Sequence, residues 1–113
     1  MNRLPVVLLV LFLLILCWER TRTFSEPFER DISTYAVVAH ELLAGRNLYT
    51  DLWDHKPPAI HLTYAWAESI AGYGRLSIFI LNVLAGVMTL LGLYRAGKIM
   101  GGTVVGLWAA AFW

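Results

Sequence analysis

The chain has one cysteine, Cys17, in 113 residues, so it holds neither an internal disulfide framework nor a four-cysteine zinc site. Charge is scarce as well: Asp, Glu, Lys and Arg make up 15% of the sequence, against about 25% in an ordinary soluble domain. The net charge is +1, so no broad field of one sign is present to attract nucleic acid. No acidic residue precedes Glu19 and none follows Glu68. Internal repeats and low-complexity segments are absent. With 58% apolar residues and five each of Trp, Tyr and Phe, the composition excludes disorder and coiled coils and argues against a water-soluble globule. It points to a membrane.

Two long apolar runs flank the charged stretch. Leu4–Trp18 is 15 residues without a charge, about 22 Å as helix. Leu76–Tyr94 is 19 residues, about 28 Å, close to the ~30 Å hydrocarbon core. Arg75 and Arg95 bracket the second run and Tyr94 suits the interface; Gly86 permits close approach of another helix. The first run, 1–18, reads as an uncleaved signal anchor, because no small-x-small site follows it and Leu16 stands where a lipoprotein signal needs a small residue before the cysteine. Cys17 then serves as an apolar filler at the membrane edge. Residues 95–102 read as a short basic turn. Residues 103–113 turn apolar again but are too few to span a bilayer. The expected fold class is therefore an all-α polytopic membrane protein: two transmembrane helices, a loop over 19–75 between them, and the start of a third span, as in the N-terminal piece of a longer chain.

The loop predicts two helices. Asp31 or Ser33 can cap one near 32–44, with Ile32, Tyr35, Ala39, Leu42 and Leu43 on one face, His40 and Glu41 away from it, and Gly45 as its stop. Pro57 and Pro58 suit the first turn of another near 58–72, which breaks at Gly72 and Gly74. Its Tyr64, Trp66 and Tyr73 fit an amphipathic helix lying along the membrane surface. The basic residues orient the chain weakly, since loops near 60 residues lie at the limit of the positive-inside rule.

The run Glu29-Arg30-Asp31-Ile-Ser-Thr-Tyr35-Ala36, followed by Leu43-Ala-Gly45, Leu48-Tyr49 and Asp51-Leu-Trp-Asp-His-Lys56-Pro57-Pro58, resembles the first external loop of membrane glycosyltransferases with the GT-C fold. The similarity is to the protein O-mannosyltransferases and the bacterial aminoarabinose transferases acting on lipid A. It extends from Arg30 to about Trp113, and its most specific parts are the Asp-x-x-x-Tyr-Ala start and the Lys-Pro-Pro step. The resemblance implies a sugar donor carried on polyprenyl phosphate, no further cofactor, and a loop facing the periplasm or exterior of the cell (inner) membrane. It implies partners among membrane lipids and further helices of a full-length chain, and none among nucleic acids.

Within that resemblance Asp31 matches the acidic position that takes a proton from the acceptor hydroxyl, work suited to a positioned carboxylate. Read without it, an Asp ahead of an apolar-periodic run is a helix N-cap. The family often places a second acid directly after this Asp; Ile32 stands there, and Glu29 lies two residues before it. Lys56 matches the lysine before proline and is assigned to the lipid phosphate, whose departing negative charge calls for a fixed cation. The other reading of Lys56 is a lysine snorkelling at the interface. Arg30 is a further phosphate candidate and Arg46 another, each of which reads equally as a solvated loop residue. Asp54, His55 and Tyr35 are expected to support the site, with Asp54 pairing with Lys56 or orienting it. Tyr35, Tyr49, Trp53 and Trp66 are candidates to stack on sugar or lipid, or to anchor the loop at the interface. Asp51, Asp54, His55 and His61, with His40 and Glu41 in reach, crowd the same stretch, but their spacing matches no metal motif, and no metal is expected. Two other functions stay open on the residues alone: a non-catalytic membrane protein whose loop packs on partner helices, and an anchored small binding domain.

Overall fold

A computed structural model describes residues 3–113. The described chain is all-helical, with helices α1 (Leu4–Arg22), α2 (Arg30–Leu43), α3 (Pro58–Ala71) and α4 (Arg75–Ala111), a 3₁₀ turn at Thr23–Ser25, and no strand among the described residues. α1 and α4 are both long and apolar enough to cross a membrane. The chain divides into two units: residues 1–23 with 82–113, and residues 24–81.

In the first unit, Pro5 opens α1, where its missing N–H costs nothing, and Arg20 and Arg22 occupy the last turn. The helix outruns the expected 15-residue run because Glu19, Arg20 and Thr21 contain no helix breaker; its 19 residues reach about 28 Å. α1 has no buried residue. The expected basic turn over 95–102 is corrected: Arg95–Met100 stays helical, and the chain leaves helical geometry only at Gly101 and Gly102. Gly102, at φ 84° and ψ −179°, occupies a region open in practice to glycine alone. The chain reverses there, and residues 103–111 return along 82–100. A Cβ on Gly106 would lie 2.6 Å from the Tyr94 carbonyl oxygen, and one on Gly97 would lie 2.9 Å from the Gly106 Cα. The two arms thus meet backbone to backbone, as small residues allow. A cavity of about 530 Å³ beside α1 is lined mainly by apolar side chains, among them Phe12, Leu16, Leu90 and Trp113; none of the sequence-predicted site residues borders it.

The second unit is built on α2 and α3. α2 ends in a Schellman turn: Arg46 N–H donates to the Glu41 carbonyl and Gly45 N–H to that of Leu42, both at 3.0 Å, with Gly45 at φ 93°, the left-handed geometry such a stop requires. α3 starts at Pro58 and stops at Gly72. Tyr35 meets His61 and Tyr64, while His40, one turn further along α2, meets Glu68 and Tyr73. Positions therefore advance together, and the two helices run parallel, joined by the return loop over 44–57. Val38 and Ala39 of α2 and Ala65 and Ala67 of α3 are buried. The expected apolar face of α2 is rotated accordingly: Leu43 is exposed, Val38 is buried, and His40 lies against α3 instead of pointing away. Arg75 ties the approach to α2 to the start of α4. Its guanidinium donates to the carbonyls of Phe24 (3.0 Å) and Glu26 (2.9 Å) and lies over the Phe28 ring.

The glycine contacts set opposite signs for one substitution. Gly106→Ala is expected to lower the stability of the 82–113 hairpin by about 1–3 kcal/mol through overpacking. Gly92→Ala, with open space around its Cβ, is expected to raise it by about 0.5–1 kcal/mol through helix propensity. Thermal unfolding in detergent followed by far-ultraviolet circular dichroism checks both.

Candidate functional site

Because α2 and α3 run parallel, their N-terminal ends come together, and so do the two sequence segments that carry Asp31 and Lys56. Asp31 lies in the first turn of α2, which begins at Arg30 after an extended Glu29. The expected capping role of Asp31 or Ser33 is corrected: Glu29 occupies the N-cap position without a side-chain cap, and the Ser33 hydroxyl donates back to the Glu29 carbonyl at 3.1 Å. A helix that starts two residues early leaves the Asp31 carboxylate free of the backbone, where the helix dipole still favours its negative charge. It faces Lys56 instead, with Asp31 Oδ2 3.8 Å from Lys56 Nζ, and Arg30 Nε lies 3.6 Å from its Oδ1.

Lys56 is held from three sides. Its ammonium lies beside the Tyr35 hydroxyl, Asp31 adds its charge, and the Tyr49 hydroxyl donates to the Lys56 carbonyl at 2.6 Å. The hydrogen bond and charge interaction with Tyr35 push the lysine above its ordinary pKa of 10.5. Asp31 adds to this, burial opposes it weakly, and Asp54 contributes least. Raised in the folded state, this group stabilises the fold fully below the unfolded lysine value, and that contribution is lost only as pH rises through the folded value. Lys56 therefore carries its charge throughout the neutral range. Tyr64, half-buried beside Tyr35, has its phenol pushed up, chiefly by burial and secondarily by Tyr35.

The return loop is shaped to present Lys56. Tyr49 has φ 73°, a left-handed conformation uncommon for a bulky residue and costing of order 1–3 kcal/mol. Asp51 helps fix the bend by accepting from the Asn47 backbone N–H at 2.8 Å. Beneath Lys56 lies a buried polar pair. Asp54 is 9% exposed and His61 is fully buried at 0%. Asp54 Oδ1 accepts a long 3.3 Å bond from the Lys56 backbone N–H and lies 3.3 Å from His55 Nδ1. Asp54 Oδ2 and His61 Nε2 are 3.1 Å apart without forming a hydrogen bond, and these two atoms and His61 Nδ1 have no hydrogen-bond partner. Each such group costs about 1–3 kcal/mol.

Of the residues expected from sequence, Asp31, Tyr35, Lys56, Asp54, His55 and Arg30 gather at this end of the helix pair. Glu29 takes part through its backbone. Arg46 is engaged elsewhere, 3.2 Å from Glu41. The Asp54 carboxylate engages Lys56 at its backbone N–H and otherwise faces two histidines. Trp53 is 82% exposed and Trp66 also faces outward. Among the described residues no three His, Cys, Asp or Glu side chains gather round one point that could hold a metal ion. Two residues were missed in these roles: Tyr49, read as an anchor or stacking platform, and His61, read only as one of a crowd of polar residues. The signal for His61 is its i, i+4 spacing to Ala65, which puts it on the small-residue face of α3. No family, no curated protein and no solved structure matches the chain.

Tyr35→Phe is expected to bring the Lys56 pKa down toward its ordinary value, and Asp31→Asn to do so by less. With only Lys56 and Lys98 in the sequence, a heteronuclear NMR titration of the lysine side chains resolves the two shifts.

Proposed function

We propose that this chain supplies the first spans and the external loop of a polytopic membrane glycosyltransferase, which moves a sugar from polyprenyl phosphate to an acceptor on the outer face of the cell membrane. In this reading α1 and α4 cross the bilayer, and the chain between them faces the periplasm or exterior. The exposed apolar side chains of α1, such as Val6, Val7, Leu11 and Leu14, favour lipid around them, since burying each away from water is worth about 1.5–3 kcal/mol.

The observation that carries the proposal is the meeting of Asp31, Tyr35 and Lys56. They come from two separate segments that resemble the family, and only the parallel packing of α2 and α3 joins them. The place suits a phosphate: a charged lysine, the exposed Arg30, and two helix N-termini, each worth about +0.5 of an elementary charge. When the lipid phosphate docks, Lys56 exchanges Asp31 for the phosphate oxygens, which releases the carboxylate from the lysine. The acceptor oxygen then bonds to the anomeric carbon as the bond from that carbon to the phosphate oxygen breaks. The acceptor proton passes to Asp31, and the polyprenyl phosphate leaves beside Lys56.

Sugar transfer from a polyprenyl-phosphate donor, assayed in membranes containing the full-length protein, tests this. Asp31→Asn is expected to lower turnover by about 10²–10⁴-fold, as for loss of a general base, and Lys56→Ala is expected to weaken donor use. Wild-type transfer by both variants at normal expression would instead favour a loop that only packs on partner helices.

A further inference from the structure

His61 is the most deeply buried polar side chain of the second unit, and it touches both supports of Lys56. On one side its Nε2 lies 3.1 Å from Asp54 Oδ2, and the other oxygen of Asp54 accepts from the Lys56 backbone N–H. On the other side its ring packs edge-to-face on Tyr35, with centroids 5.7 Å apart, and the Tyr35 hydroxyl lies beside the Lys56 ammonium. A histidine placed only to fill a core would have its ring nitrogens satisfied; both nitrogens of His61 lack a hydrogen-bond partner. An imidazole fills the space and sets a polar ring nitrogen 3.1 Å from the carboxylate, two features that an apolar residue of similar size does not combine. The titratable groups facing it are Asp54 from the return loop and Tyr35 from α2, with His55 on the far side of Asp54.

We infer that His61 is a positioning residue for Lys56, setting the lysine's backbone through Asp54 and its ammonium through the Tyr35 ring. The consequence for donor binding rests on the reading of Lys56 as the phosphate-binding cation; the positioning itself does not. Lys56 held against Tyr35 and Asp31 reacts slowly with amine reagents, because the free-amine fraction falls tenfold for each unit its pKa is raised. Released, it reacts faster.

Competitive amine labelling of the detergent-solubilised chain, read by mass spectrometry with Lys98 as internal reference, tests the positioning without any activity. His61→Ala and Asp54→Asn are each expected to raise Lys56 labelling by roughly threefold or more relative to Lys98. His61→Gln, which keeps a donor and most of the volume, is expected to return labelling close to wild type. Tyr35→Phe is the control for a freed lysine. If Tyr35→Phe responds while Asp54→Asn leaves labelling at the wild-type rate and the His61 variants do not differ from it, the inference is overturned, and Asp54→Asn and His61→Gln decide the matter even where His61→Ala does not fold. In the transferase assay His61→Ala is expected to raise KM for the lipid-linked donor about tenfold with little change in kcat, the signature of lost binding. A wild-type protein without transfer activity would sink the transferase reading and leave the labelling result standing.

Discussion

Ala39 and Ala65 are buried at 0% and 7% exposure, each four residues beyond the Tyr35 and His61 rings that meet across the pair, and their small side chains let α2 and α3 pack closely side by side. That parallel contact is the constraint on which the site depends. Parallel helices need a return loop, and the loop over 44–57 brings the chain back so that both N-termini face the same place. A wider side chain at Ala39 would wedge the helices apart and separate Asp31 from Lys56 without touching either. The far end of the seam is closed by His40, whose Nδ1 lies 2.6 Å from Glu68 Oε1 and whose ring tilts over Tyr73.

The polar groups are distributed to match. At the His40 end an ion-pair geometry is made and short. At the Lys56 end Asp54 and His61 leave buried atoms unsatisfied, and Tyr49 holds a strained backbone angle. Costs of this kind concentrate where a structure positions a chemical group rather than where it only packs. The Schellman stop at Gly45, the seam and the Arg75 staple are the conventional contacts that hold the helix pair together while those costs are carried.

Much of this was legible in the residues. Gly45 and Gly72 mark helix stops, Pro58 a start, and the two apolar runs the long helices, because each acts through a local backbone preference. The gathering of Asp31 with Lys56 followed only from a family resemblance; nothing local in either segment announces the other. Local pattern favours Asp31 or Ser33 at an N-cap, yet α2 starts two residues earlier than expected, at Arg30, with Glu29 in the cap position. The burial of His61 and the φ of Tyr49 depend on a parallel packing that hydrophobic period does not encode. The reversal at Gly101 and Gly102 was placed within too long a turn, since Arg95 and Lys98 look like loop residues but sit comfortably in a helix.

The central claim is that a carboxylate of α2 and the lysine before α3 are neighbours. Zero-length carbodiimide coupling reads this directly, since it joins only a carboxylate and an amine already in contact. The structure predicts an amide bond between Asp31 and Lys56, identified by mass spectrometry of the digested chain and lost in Asp31→Asn. Lys56 coupled only to other acids, or not coupled at all, would contradict the account.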